Sequence, residues 1–192
     1  MTTPNLLVFA GSAREGSFNK KLARLAAATT NEAGASATFV DLRDYPLPLF
    51  DEDLEAAQGE PAHATALKTL MKQADGFIIA SPEHNSAYSA LLKNTIDWAS
   101  RKRDGEKPRA CFDGKTALLL SASPGQLGGL RGLVVLRSLL GNLGVLVLPD
   151  QLAIGSAHQA FDAQGALVDE TKVAMLKKLV AGQVALTAKL KG

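Results

Sequence analysis

The chain has 192 residues, 46% of them hydrophobic, which is enough for one sizeable core and short for two independent domains. Lysine and arginine total 21 against 19 acidic residues, and this near-neutral balance excludes a broad basic surface for nucleic acid. We therefore expect a single domain over residues 1–192, whose partners are decided by local sites.

The first half of the chain alternates short apolar runs with segments of helical period. A strand is predicted over Leu6–Ala10, and from Ser17 apolar residues recur on one helical face. A second strand over Ala37–Val40 precedes Leu42–Pro61, which is predicted to be an irregular surface crossover. A further helix is predicted to end near Ala74.

The second half continues the same alternation. Strands are predicted over Phe77–Ala80, Ala117–Leu120 and Val145–Leu148, with helices over Tyr88–Ala99, Leu130–Leu143 and about Asp169–Leu190. The strands are continuous apolar runs, so helices must cover both faces of the sheet. Five such units predict an α/β fold with a doubly wound parallel sheet.

The segment after the first strand has the composition of a phosphate-binding turn. In open α/β sheets the ligand crevice lies beyond the carboxyl ends of the strands. Residues 11–19, GSAREGSFN, offer hydroxyls, an arginine and backbone N–H groups at the start of a helix, which favour a phosphate. The segment matches neither GxGxxG nor GxxxxGK[ST], which disfavours a Rossmann dinucleotide domain and a nucleotide triphosphatase. A plain turn capped by Ser17 is the structural alternative.

Two later loops suit a flat heterocycle. Residues 81–86, SPEHNS, are stiffened by a proline, and their backbone amides with Asn85 suit the polar edge of a ring. Glu83 and His84 are equally placed to cap the helix that follows. Residues 121–129, SASPGQLGG, contain glycines that permit close backbone approach to a ligand. Three such loops at one sheet edge favour a ligand site there.

The motifs GSAREGSFN, SPEHNSAYSALLKNTIDW and SASPGQLGGLRG together resemble the NADPH-dependent FMN reductase family, which includes bacterial quinone and chromate reductases and flavodoxin-like azoreductases. The resemblance runs from about Asn5 to Leu148. It implies a flavodoxin-like sheet of order 2-1-3-4-5 with helices on both faces, a bound FMN, and NADPH or NADH as electron donor. It also implies ping-pong, two-electron reduction of small acceptors (quinones, free flavin, azo dyes or chromate) by a homodimer or homotetramer with FMN near the interface.

The resemblance also carries the family's FMN contacts onto matching positions. It implies that the phosphate is held by Ser12, Arg14, Ser17 and Asn19, with Gly11 in the same turn and Phe18 as a backbone contact. It implies that the isoalloxazine rests against Pro82, Glu83, His84 and Asn85. The remaining ribityl and ring contacts are implied for Ser123, Pro124 and Gly125. His84 stands where tyrosine is common, so contacts at the flavin edge and substrate preference are expected to differ. A neutral His84 is the plain interpretation, and a proton donor to the acceptor is the alternative.

The remaining candidate residues are assigned ordinary roles. Cys111 is the only cysteine, so neither an internal disulfide nor a CxxC redox pair forms. His63 and His158 lack metal-binding spacing, and the acidic run 51–55 lacks the pattern of a calcium loop, so no metal site is predicted. Trp98 is predicted to pack in the core or at a subunit seam. With no secretory signal and no apolar run of about 20 residues, the protein is expected to be cytoplasmic, without a membrane partner.

Three other functions share this fold. A flavodoxin-type electron carrier would bind FMN and react only with protein partners, but flavodoxins tend to be strongly acidic and this chain is not. A receiver domain needs an acidic pair after strand one and an aspartate after strand three, where Gly11-Ser12 and Ser81-Pro82 stand, so it is rejected. A regulator that only binds ligand stays open, and NAD(P)H turnover distinguishes it from a reductase.

Overall fold

The computed structural model describes residues 3–191 and contains one five-stranded parallel sheet of order β2-β1-β3-β4-β5. Its strands are β1 (Asn5–Ala10), β2 (Ser36–Val40), β3 (Gly76–Ala80), β4 (Thr116–Ala122) and β5 (Leu146–Ile154). The predicted strand order and doubly wound α/β fold are confirmed. Because all five strands run in the same direction, the loops after β1, β3 and β4 meet at one edge of the sheet.

Strand β5 is longer than the sequence pattern predicts. It runs to Ile154 rather than ending at Leu148, through a polar stretch that contains Pro149. The register of β4 against β5 shifts between Ala117 and Leu119, and this irregularity accommodates the proline. The Arg137 guanidinium donates to the carbonyls of Leu148 and Pro149 at 2.5 and 3.1 Å, which satisfies backbone groups in the shifted segment.

Helices cover both faces of the sheet, as predicted. They are α1 (Phe18–Glu32), α2 (Glu52–Gln58), α3 (Ala62–Gln73), α4 (Ala90–Ser100), α5 (Leu130–Asn142), α6 (Ala157–Ala160) and α7 (Glu170–Lys191), with a 3-10 turn at Leu42–Asp44. Successive strand residues alternate between two cores: Leu6, Val8 and Ile78 pack with α1 and α7 on one face, whereas Leu7, Phe9 and Phe77 pack with α3, α4 and α5 on the other. No helix within residues 3–191 is long and apolar enough to span a membrane.

The crossover after β2 contains a helix that the sequence analysis missed. The Asp51 carboxylate accepts hydrogen bonds from the N–H groups of Asp53 and Leu54 and so caps α2, which makes the acidic run a helix start rather than an irregular turn. Trp98 is fully buried, and its indole N–H donates to the Pro48 carbonyl at 2.8 Å. The indole therefore lies in the core and fixes the crossover to α4.

A buried lysine links the crossover to the segment after α4. Lys68 is 1% exposed, and its ammonium lies 2.6 Å from a Glu60 carboxylate oxygen and 3.4 Å from one of Glu106. Lys72 donates to Glu106 at 2.6 Å and, as the largest cause, lowers the pKa of that carboxyl to about 2. Nearby, Cys111 is buried, and burial raises the pKa of its thiol, which disfavours a reactive thiolate.

Candidate functional site

The site lies at the carboxyl edge of the sheet, where three loops meet: loop 1 (residues 11–17), loop 2 (81–89) and loop 3 (123–129). The Gly11 N–H donates to the Ala80 carbonyl, and the Gly11 carbonyl accepts from the Ser89 hydroxyl at 2.6 Å. A Cβ atom at Gly11 would lie 3.1 Å from that of Leu92 and 3.3 Å from Pro82 Cδ. Gly11 therefore allows loops 1 and 2 to pack closely.

Loop 1 leads into the first turn of α1, where backbone N–H groups without an intrahelical hydrogen bond can bind an anion. Ser17 caps α1 by accepting from the Lys20 N–H at 3.4 Å, so the predicted capping role is confirmed. The first intrahelical bond runs from the Lys21 N–H to the Ser17 carbonyl, at 3.2 Å. The N–H groups of Phe18 and Asn19 precede that bond and are therefore available to a ligand. Together with the positive end of the helix dipole they suit a phosphate.

Two cations hold and flank loop 1. The buried Lys20 ammonium donates to the Ala13 carbonyl at 3.2 Å and pairs with Asp41, after β2, at 2.7 Å. Burial would raise the pKa of Asp41, but the hydrogen bonds from Lys20 and the backbone outweigh it and lower that pKa. The exposed Arg14 has its guanidinium carbon 5.8 Å from the centre of the Phe18 ring. Lys20 thus stabilises the loop, and Arg14 is the cation placed to meet an anion.

Asn19 joins loop 1 to loop 3. Its side chain is almost fully buried, donates to the Ala122 carbonyl at 2.9 Å and accepts from the Ala122 N–H at 2.9 Å. Both polar atoms of the amide are therefore engaged at the end of β4. The resemblance implied that this side chain binds the phosphate, whereas the structure leaves the backbone N–H of Asn19 for that contact.

Loop 2 is fixed to α5 by Glu83. This carboxylate accepts from Arg131 Nε at 2.7 Å and from the Gly132 N–H at 3.3 Å, and Arg131 Nη2 lies 2.5 Å away. Burial would raise the pKa of Glu83, but these hydrogen bonds outweigh it and lower that pKa. The cap of α4 is Ser89, so the suggestion that Glu83 or His84 caps that helix is wrong. Sequence pattern gave no signal for Arg131, because it lies 48 residues from its partner.

The tip of loop 2 is a tight turn in an uncommon conformation. His84 and Ala87 exchange two backbone hydrogen bonds, at 2.8 and 3.0 Å. The two residues between them, Asn85 and Ser86, have positive φ angles of 51° and 64°. Asparagine tolerates this left-handed region, whereas serine adopts it less readily. The turn places the exposed His84 side chain at the mouth of the site.

Loop 3 packs tightly against β4 and β5. Gly129, the cap residue of α5, has a φ of 90°, and a Cβ atom there would clash with the Ser121 hydroxyl. Among the residues described, that hydroxyl is buried without a hydrogen-bond partner. The Ser123 carbonyl accepts from the Ala157 N–H at 3.0 Å, so the first residue of α6 fixes the start of loop 3. A glycine at 129 thus permits loop 3 to pack closely against β4, whereas its close approach to a ligand stays a prediction.

The loops surround two cavities that share Glu83 and Ser123 as wall residues. The first, about 170 Å³, is lined by most of the predicted FMN contacts: Ser12, Arg14, Ser17, Phe18, Asn19, Pro82, Glu83, His84, Ser123 and Pro124. The second, about 490 Å³, is lined by Asn85 and Gly125 from the predicted set and by Gln126, Leu127 and Arg131, which were not predicted. Gly11 lines neither. Because the two cavities share these wall residues they adjoin, and together they are called the cleft; their combined volume lies in the range of cofactor sites.

This cleft fits FMN in its chemistry. The smaller cavity has the helix N–H groups and Arg14 that a phosphate requires. The larger cavity is bordered by the glycines of loop 3, and a glycine backbone permits close approach to a flat ring. Among the residues described, no group of three or more His, Cys, Asp or Glu side chains could hold a metal ion.

Comparisons with known proteins show which family the chain resembles. Residues 4–159 match the family described as NADPH-dependent FMN reductase. An NAD(P)H-dependent FMN reductase of Pseudomonas aeruginosa is 37% identical over 166 residues, 86% of this chain and 85% of that protein. A quinone reductase of Escherichia coli K12 is 37% identical over 152 residues, 78% and 76% of the two chains. The structure of FerB, a flavoenzyme NAD(P)H:(acceptor) oxidoreductase from Paracoccus denitrificans, superposes with a TM-score of 0.81 at 27% identity, covering 97% of this chain and 98% of FerB.

Proposed function

The chain belongs to the NADPH-dependent FMN reductase family, whose members are oxidoreductases that use FMN with NAD(P)H as donor, and from this premise we propose that it reduces small acceptors by two electrons in a ping-pong cycle. Quinones and free flavin are the first acceptors to test. Azo dyes and chromate are further candidates, because reduced flavin donates electrons to many kinds of acceptor. The observation that carries the proposal is the single cleft formed by loops 1, 2 and 3. When bound, FMN accepts hydride from the donor and returns two electrons to the acceptor.

We assign the smaller cavity to the FMN phosphate and the larger one to the flavin ring and the substrates. Arg14 and the N–H groups of Phe18 and Asn19 bind the phosphate, and the hydroxyls of Ser12 and Ser17 lie in the same wall. The charge-assisted contact from Arg14 stabilises the dianion more than a neutral donor would. The phosphate end thus anchors the cofactor, and no side-chain nucleophile is needed.

The ring end is positioned by loops 2 and 3. Glu83 and Asn85 of loop 2 and Ser123 and Gly125 of loop 3 line the larger cavity. The other predicted ring contacts, Pro82, His84 and Pro124, line the smaller cavity beside it. Glu83 is already paired with Arg131, so its role is to hold loop 2 in place. His84 is an exposed wall residue of the smaller cavity, and we propose that its ring contacts an incoming acceptor where the two cavities adjoin. A single cleft serves donor and acceptor in turn, which is the basis of the ping-pong proposal.

We also propose that the protein acts as a homodimer or homotetramer. Exposed apolar side chains concentrate on α5 and the segments beside it: Leu127, Leu130, Val134, Val135 and Leu146. Leu127 is also a wall residue of the larger cavity, so a second copy seated on this surface would lie beside the flavin end. Apolar surface of this kind commonly marks protein–protein contact. Sedimentation of the protein and of Val134→Asp tests this, with a smaller species expected for the variant.

The purified protein decides the main proposal. We expect a flavin spectrum on reconstitution with FMN and steady NADPH or NADH oxidation with a benzoquinone, with parallel double-reciprocal lines when both substrates are varied. Arg14→Gln should weaken FMN binding about tenfold, through loss of a charge-assisted contact of roughly 1.5 kcal/mol. Arg109→Gln, an exposed change outside the cleft, is the matched control. Bound flavin without turnover would favour an electron carrier, and no flavin binding would overturn the site assignment.

A further inference from the structure

A second groove lies beside the phosphate end of the FMN cleft, between the start of α1 and the turn after β2. Part of it is a cavity of about 430 Å³ whose walls include Ser17, Lys21, Arg24, Asp41 and Arg43. Ser17 is also a wall residue of the smaller FMN cavity, so the two spaces adjoin. The groove is therefore next to the FMN site and, apart from Ser17, is lined by different residues.

The groove continues into a smaller, more apolar space. A cavity of about 260 Å³ shares Lys21 and Arg24 with the first and adds Leu25 and the loop 163–165. Lys21 lies 5.9 Å from the centres of both Phe18 and Phe161, whose rings are stacked at 6.1 Å. The groove thus has a cationic half and a half with apolar walls, joined at the same two cations.

The charges in the groove leave two cations for a ligand. Lys20 pairs with Asp41 at 2.7 Å, and Arg43 lies 3.7 Å from Glu15. Lys21 and Arg24 have no carboxylate within 4 Å among the residues described, and Asp44 is the remaining acid of the wall. The Arg24 guanidinium lies over Phe39, with its carbon 4.2 Å from the ring centre, a contact that holds the group without neutralising its charge. An anion placed here meets two cations that have no ion pair within 4 Å among the residues described.

We propose that this groove binds the adenosine end of NADPH, with Lys21 and Arg24 contacting the 2′-phosphate and the walls at Leu25 and 163–165 contacting the adenine. The inference rests on the proposed reductase function, because it requires NADPH as the electron donor, and the groove adjoins the proposed FMN cavity at Ser17. A phosphate monoester suits paired basic side chains, and an apolar wall suits a purine. Arg24 and Lys21 are then the residues that set the preference for NADPH over NADH.

The test is made on the FMN-loaded protein with Arg24→Gln and Lys21→Gln. We expect the KM for NADPH to rise about tenfold in Arg24→Gln and somewhat less in Lys21→Gln, while the KM for NADH changes less than twofold. Added salt should raise the NADPH KM of the unmodified protein more than the NADH KM, because exposed charges are screened. Lys102→Gln, which removes an exposed lysine from the segment after α4, is the control and should change neither value. Equal changes for both coenzymes would overturn the inference.

A binding measurement separates this inference from the proposed function. Calorimetric titration with adenosine 2′,5′-bisphosphate should show binding that Arg24→Gln weakens about tenfold, while 5′-AMP binds more weakly and inorganic phosphate does not displace the nucleotide. Similar affinity for the bisphosphate and 5′-AMP, or displacement by inorganic phosphate, would overturn adenosine 2′-phosphate recognition. If instead the nucleotide binds as expected but no coenzyme is oxidised, the groove stands and the reductase proposal fails.

Discussion

The ion pair between Glu83 and Arg131 predicts a measurable coupling between loop 2 and α5. The Glu83 side chain is 9% exposed and accepts from Arg131 Nε at 2.7 Å and from the Gly132 N–H at 3.3 Å, whereas the Arg131 side chain is 61% exposed. A hydrogen bond to a charged group contributes about 1.5–3 kcal/mol when buried, and an exposed ion pair contributes roughly 0.2–1 kcal/mol. With one partner buried and one exposed, we expect a coupling free energy of about 1 kcal/mol.

A double-mutant cycle measures this coupling. Urea unfolding of the apoprotein is compared for Glu83→Gln, Arg131→Gln and the double variant, because glutamine keeps the size of the carboxylate and removes its charge. The control pair is Lys93 and Asp97, which lie 2.7 Å apart but are 44% and 31% exposed, so its expected coupling is at most about 0.5 kcal/mol. A coupling at Glu83 no larger than that of the control pair would refute the reasoning that burial decides the strength of this contact.

The Glu83→Gln variant should also change the affinity for FMN and the stability of the protein in acid. Glu83→Gln frees loop 2 from α5, so we expect FMN affinity to fall about fivefold, roughly 1 kcal/mol, as measured by quenching of flavin fluorescence. Because folding lowers the pKa of Glu83 below its ordinary value of 4.5, its contribution is present above that pH and is lost as pH falls below it. Glu83→Gln should therefore weaken this acid-dependent loss of stability. An unchanged FMN affinity would show that α5 does not position loop 2.

Further predictions concern strain, packing and pH. Ser86→Gly should raise the free energy of unfolding by about 1 kcal/mol in urea, because Ser86 has a φ of 64°. Gly129→Ala should lower that free energy by about 3 kcal/mol through its φ of 90° and the clash with Ser121, and adding Ser121→Ala should recover part of the loss. Glu106, 17% exposed and bound to Lys72, has its pKa lowered to about 2. That change corresponds to about 3 kcal/mol, which solvent screening reduces to about 2 kcal/mol. This contribution is present above pH 4.5 and is lost as the pH falls from 4.5 to 2, so Glu106→Gln should remove it in urea unfolding at pH 7.

Each of these has a control within the chain. Ser36→Gly, at an exposed position of β2, should destabilise, since glycine weakens a strand; stabilisation at both serines would contradict the argument from φ. Gly34 has a φ of 82°, and a Cβ added there has no atom within 4 Å. Gly34→Ala therefore isolates the conformational part of the stability lost in Gly129→Ala. An equal loss of unfolding free energy at both glycines would show that the clash with Ser121 contributes nothing. Glu32→Gln, in an exposed pair with Lys177 at 3.8 Å, should leave stability unchanged.

Local patterns in the sequence determined the fold class and the place of the site. Continuous apolar runs such as Leu6–Ala10 and Phe77–Ala80 mark strands buried on both faces, and such strands occur where helices cover a parallel sheet. The motif that begins at Gly11 carried the resemblance that the family match confirms, together with FMN and NAD(P)H. These features were readable because each depends on residues close together in the chain.

Tertiary structure alone decided which side chains meet. The strand order brings together loops that start near residues 11, 81 and 121, so Asn19 contacts Ala122 and Glu83 contacts Arg131 across long stretches of sequence. The same packing shows that the Asn19 amide holds two loops and that Lys21 and Arg24 share a groove with residues after β2 and β5. Periodicity reports whether a residue is buried, but a hydrogen bond between distant segments depends on the position of both, and only the folded chain sets that position.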